Sequence, residues 1–344
     1  MANPPHPYGD HHIQHFPTQS ISKLAPLSGL ILCIVLVVLF FVRYYVLESF
    51  LLRKLYGKKY TDLNDKERRG FLNHHIAGAT KLIIFIVALY PFINVAFRTS
   101  NLHDRMGPGS HVTMGDMLLI CAHMLVAMYI FELIYRTNVS PIGVLHHVGT
   151  IIIGQTAIVL TLNLIGESDA TIEFLLCTVW GAFDIVAEFL PHISIVLYRL
   201  YPESHHFLRR VFLISAITTF LGTIMETSVI FYFFGSLWYR WSLAFKITTP
   251  LLHCAFSACQ LHGSRVFWKM YQKQGRLIKQ EADMEASVRK EGKLEEQLTP
   301  PGISNLYKNY NESTVVGSAD YLQHDPSTSS TAQLTHPEDA HTKS

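Results

Sequence analysis

Leu145-His146-His147-Val148-Gly149-Thr150 sets two adjacent imidazoles at the entrance of an apolar run. From Ile151 to Ile165 that run has no charged residue, and only Gln155, Thr156, Thr161 and Asn163 interrupt its apolar character. Polar groups are costly in hydrocarbon, so both histidines must be wet, partnered or functional. What they face decides how the chain is read.

Stretches of the same kind recur on either side, each near the ~20 residues that span a bilayer as helix. They are Pro26–Leu47, Ile76–Phe97, Met114–Tyr135, Gly143–Ile165, Ile172–Tyr198, Leu208–Phe234 and Trp241–His262. At 344 residues and 49% hydrophobic content the composition is barely richer than that of a soluble protein, so the clustering carries the inference. The expected fold is an all-α polytopic membrane protein of about seven transmembrane helices. The first apolar core outruns a signal-peptide h-region, and Arg43-Tyr44-Tyr45 stands where a small-residue cleavage site would be, so it is expected to stay as a helix.

Basic residues are unevenly placed. Arg53, Lys54, Lys58, Lys59, Lys66, Arg68 and Arg69 crowd the first connection; Arg265, Lys269, Lys273, Arg276 and Lys279 follow the last span. Assigned to alternate sides, sixteen fall on one face and four on the other. The positive-inside tendency then predicts a luminal N-terminus and a cytosolic C-terminus. The polar, Pro-rich and His-rich tail 1–25 reads as disordered, 272–298 as a charged cytosolic helix, and 299–344 as a second disordered tail. Cys33, Cys121, Cys177, Cys254 and Cys259 all lie in apolar segments and imply packing rather than disulfides. The sequons at Asn138 and Asn311 fall on the predicted cytosolic side, so neither is expected to carry glycan.

In the fifth span Asp184, Glu188 and His192 are four apart and share a helix face, with Pro191 freeing the carbonyl of Ala187. Carboxylates in a span rarely face lipid and are expected to point inward. At ~1.5 Å per residue, Asp184 and His253 sit roughly 18 and 20 Å from the luminal side, level enough to meet, with His123 and Glu226 somewhat shallower. His146, His147 and His192 lie nearer the cytosolic surface. For each buried group alone, structural hydrogen bonding is the default. Arg43, Lys81 and Glu132 lie near predicted span ends, where snorkelling accounts for them. His74-His75 and His205-His206 read as solvated connections. The sequence has no HExxH, no GxSxG, no phosphate-binding Gly loop and no set of HxxxH boxes for a di-iron centre, so neither a metal nor a bound cofactor is expected.

Phe131–Arg136, the Leu145-His146-His147-Val148-Gly149-Thr150 signature and Trp180–Glu188 together resemble the TLC-domain family. That family holds translocation-associated membrane proteins, longevity-assurance-type ceramide synthases and lipid-homeostasis proteins. The resemblance covers about 68–271, leaving the first helix at 26–47 and both tails outside. It implies a six-helix bundle or barrel around an intramembrane cavity, usually in the endoplasmic reticulum, with membrane lipids and fatty-acyl chains as partners. A homo-oligomer is compatible with it; nucleic acid is not a partner. In the ceramide synthases a histidine pair and downstream aspartates serve acyl transfer from acyl-CoA, as co-substrate, to a sphingoid amine. His146 and His147 match the pair and Asp184 the second aspartate, which makes these three the candidate catalytic residues. Glu188, His192, His253, His123 and Glu226 are the candidate cavity residues. Gly181 stands where the synthase pattern has its first aspartate, which tilts the expectation toward lipid binding or homeostasis. Sphingoid-base N-acylation is the alternative, and a translocon-associated or receptor-like role the third.

Overall fold

The computed structural model describes residues 21–96, 99–162 and 170–298; among them every regular element is helical. The expectations for the two tails concern residues that lie mostly outside this set. Helix α1 (Ser28–Phe41) runs through a π-helical stretch, Val42–Leu51, into α2 (Leu52–Tyr56). The resulting apolar rod, Ala25–Tyr56, is longer than the predicted 26–47 because nothing breaks it before Gly57, whose φ of +51° suits glycine. The wide turn also brings Arg43 and Glu48, five residues apart, to 2.8 Å. Arg43 lies 4.6 Å from the ring of Tyr135, so an ion pair and an aromatic face hold it rather than snorkelling alone.

After the short α3 (Lys58–Thr61) come α4 (Asp65–Ala96), α5 (Met114–Tyr135), α6 (Pro141–Leu160), α7 (Ala170–Leu200), α8 (His205–Ser236) and α9 (Leu243–Leu298). Local chemistry sets several starts. Thr113 and Asp116 form a reciprocal capping box at α5, and Ser140 accepts the Gly143 N–H at α6 with Pro141 in the first turn. Gly115 admits the N-terminal segment: a Cβ there would meet the Ile21 carbonyl oxygen at 1.9 Å.

Among the described residues, six helices are long and apolar enough to cross a membrane: Ala25–Tyr56, Asp65–Ala96, Met114–Tyr135, Pro141–Leu160, Ile172–Leu200 and His205–Ser236. Large apolar side chains such as Ile86, Leu145, Ile152 and Met225 face outward, as an integral membrane protein requires. The predicted seventh span, Trp241–His262, lies almost wholly within α9 but is not among those six. Lys246, Thr248, Thr249, Pro250, His253 and Gln260 dilute its apolar character. Nor does a break separate it from the charged segment expected at 272–298, for one continuous helix holds both.

The chain divides into two compact units at Lys279. The first contains every helix from α1 to α8 and the apolar part of α9. The described part of the second, 280–298, is helical; its side chains through 294 are exposed. Within the first unit α4 packs along α5 and α7, α7 along α8, and α6 lies against both α5 and α7.

Candidate functional site

Buried charge gathers where α4, α5, α6 and α7 meet. Lys81 of α4 is fully buried, its Nζ 2.5 Å from Glu188 Oε2 and 3.3 Å from Asp184 Oδ2. The Tyr129 hydroxyl of α5 donates a short bond to Asp184 Oδ2. From the opposite side, His146 Nε2 of α6 stands 3.4 Å from Glu188 Oε1 and 3.6 Å from Asp184 Oδ1. The four-residue spacing of Asp184 and Glu188 is what lets one ammonium and one imidazole bridge both carboxylates. Both ring nitrogens of His146, and Asp184 Oδ1, lack a hydrogen-bond partner although buried.

His146 and Asp184 line a cavity of about 140 Å³. Its walls are apolar, supplied by residues such as Ile84, Ala88, Phe92, Leu118, Leu125 and Phe174. At its polar end are His146, Asp184, Glu226 and Gln260, with Trp180 and Phe256 beside them. Gln260 donates to Glu226 Oε2 at 2.8 Å and keeps a buried Oε1 without a partner. The signature's Gly149 has a packing role, since a Cβ there would lie 3.1 Å from the ring of Phe256. That ring closes edge-on to His146, with centroids 5.3 Å apart.

The two histidines part company. Neighbouring residues on a helix point about 100° apart, so His146 faces the cavity while His147 does not line it. His147 stacks on Tyr129 at 4.5 Å, and its Nε2 lies 3.5 Å from Glu132 Oε1. Glu132 also pairs with Arg136. Snorkelling therefore fails for Lys81 and Glu132, whose side chains are 0% and 3% exposed.

The other predicted cavity residues scatter. Glu226 lines the cavity, but His192 turns to α4, where its Nδ1 sits 3.0 Å from Nδ1 of His74. His74 and His75 are consequently not solvated: His75 bridges the Phe71 carbonyl and the Tyr56 hydroxyl. His123 bonds the Leu119 carbonyl within its own helix. His253 does not meet Asp184. It accepts from the Trp180 indole N–H at 3.0 Å and pairs through Nε2 with Thr227 at 3.1 Å, a clamp joining α7, α8 and α9.

Lys81, Tyr129 and Gln260 were not legible as site residues. One signal was present for Lys81: two carboxylates in an apolar helix require a cation, and it is the only Lys or Arg in the stretches 76–96, 114–135, 143–162 and 172–198. His146, Asp184 and Glu188 also offer ligand atoms within 4.8 Å of one another, a set able to hold a divalent ion. The Lys81 ammonium already shares the same two carboxylates, so an ion would have to displace or accommodate it. No family model, curated protein or solved structure matches this chain.

Proposed function

We propose that this chain is a TLC-like endomembrane protein of lipid metabolism or homeostasis that seats an acyl chain in the cavity beside His146. In this reading α4 to α9 form the lipid-holding bundle, α9 crosses as the seventh span, and the protein resides in the endoplasmic reticulum with its C-terminus cytosolic. One observation carries the proposal: an apolar chamber whose one polar end holds His146, with its Nδ1 free of any hydrogen bond, beside the Asp184 carboxylate, the layout an amphiphile needs. The Lys81–Asp184–Glu188 group fixes that polar end. Mass spectrometry of lipid released from the purified protein tests it. A single-chain or acyl lipid should be recovered from the native chain and be depleted in Ala182→Phe, which puts a ring on a residue lining the chamber. Equal recovery from both would remove the support.

A second reading is sphingoid-base N-acylation, and the balance of donors and acceptors favours it specifically. The chamber offers Asp184 Oδ1, Glu226, Gln260 Oε1 and the His146 nitrogens, mostly acceptors, which suit an amine bearing N–H donors. The amine nitrogen would attack the acyl-CoA thioester carbonyl, forming C–N and breaking C–S. His146 Nδ1, the ring nitrogen turned away from the carboxylates, would take the amine proton and return it to the departing thiolate. Asp184 and Glu188 would stabilise the imidazolium. Amide formation from acyl-CoA and a long-chain base, lost in His146→Ala, is the test.

A further inference from the structure

On the flank of the first unit a second cavity, of about 680 Å³, opens between α8 and α9 and shares no residue with the central chamber. Ile217 and Phe220 of α8 form one wall, and Leu261, Arg265 and Trp268 of α9 the other. All five are exposed. The two helices are joined at this level by Ser264 Oγ, which donates to the Ala216 carbonyl at 2.8 Å. Farther out they meet through Phe212 and Phe267, and through Arg209, which donates to the Tyr271 hydroxyl at 3.0 Å. What lies between is a groove, apolar along its length and open toward the surrounding medium.

Its charge is one-sided. From Leu243 to Lys279 there is no Asp or Glu, whereas Arg265, Lys269, Lys273, Arg276 and Lys279 follow one another. α8 adds Arg209 and Arg210 and has no acidic residue before Glu226. Arg265 lies in the groove itself, one helical turn from Trp268. A guanidinium matches phosphate oxygens with paired N–H donors, and an indole sits comfortably where acyl chain meets headgroup. Basic pockets between membrane helices are suited to acidic headgroups.

We propose that this groove binds a glycerophospholipid of net negative charge, with its phosphate on Arg265 and an acyl chain along Ile217, Phe220 and Leu261. The occupant is a lipid of the bilayer rather than a soluble phosphate. The apolar walls would otherwise stay bare, and the basic run favours an acidic headgroup over a zwitterionic one.

The test uses the full chain in phosphatidylcholine nanodiscs doped with phosphatidylserine, read by native mass spectrometry of retained lipid. The native protein should retain phosphatidylserine over phosphatidylcholine. Arg265→Gln should lower that preference roughly five-fold, the factor that one interfacial basic residue supplies. Ala258→Phe, which narrows the groove, should lower it too, while Lys58→Gln on a distant connection should leave it unchanged. Arg265→Lys, keeping the charge, should retain part of the preference and shows that loss in Arg265→Gln is not misfolding. Equal retention of both lipids by the native chain, or no effect of Arg265→Gln, would overturn the proposal. So would displacement of the lipid by soluble glycerophosphoserine at equal concentration. Ala182→Phe should not alter the preference, so this site and the central chamber can fail separately.

Discussion

Lys81 Nζ and Glu188 Oε2 lie 2.5 Å apart in a pocket where the lysine side chain has no exposed surface. Asp184 shares the same ammonium, so one cation balances two carboxylates and His146 supplies the remaining face. A buried pair of this kind contributes little net stability by itself, yet removing one partner leaves charge stranded.

Lys81→Met should therefore be strongly destabilising, by about 3–5 kcal/mol. Adding Glu188→Gln and Asp184→Asn in the same chain should recover a large part of that loss. Thermal unfolding of the detergent-solubilised variants measures both; strictly additive effects would show that the three groups do not interact.

His146→Ala and His147→Ala should have opposite signatures. The first empties the polar end of the chamber and should reduce lipid retention, or turnover, while the fold persists. The second removes the stack on Tyr129 and the contact with Glu132, so it should lower the melting temperature, the stack alone being worth about 0.5–1.5 kcal/mol. Lipid retention measured beside melting on each variant separates the two roles.

How much of this was open to sequence reading depends on what each residue needed. Apolar run length disclosed the six long helices found among the described residues, because spanning hydrocarbon is a one-dimensional requirement. Asp184 and Glu188 could be paired from their spacing. The split between His146 and His147 was also implicit in helix geometry, although the pair read as one unit. Lys81 was mistaken for a residue near the span end, because its carboxylate partners lie more than a hundred positions away and only helix packing makes them neighbours. His253 illustrates the converse: a depth estimate placed it level with Asp184, but rotation about the α9 axis delivered it to Trp180 and Thr227 instead. The continuity of α9 was obscured by its own polarity.

Gly149→Leu should destabilise the protein by about 1–3 kcal/mol, because its Cβ begins 3.1 Å from the Phe256 ring and overpacking is costly. Phe256→Ala in the same chain should relieve much of that strain. A melting series of the single and double variants checks the coupling; an unaffected single variant would mean that the ring does not press on α6.

Gly181→Asp puts a third carboxylate on the chamber wall, where a Cβ makes only ordinary contact with Leu125 at 3.6 Å. The variant should fold, yet hold less of an acyl lipid. Lipid content per mole of protein, compared with Gly181→Ala, isolates the charge from the added volume.

Photo-crosslinking with a fatty acid carrying a terminal diazirine asks directly whether a chain occupies the chamber. Adducts are predicted on inward residues such as Phe92, Leu118 and Phe174, and they should vanish in Ala182→Phe. Labelling confined to outward residues such as Ile86, Ile152 and Ile214, unchanged in that variant, would contradict the account.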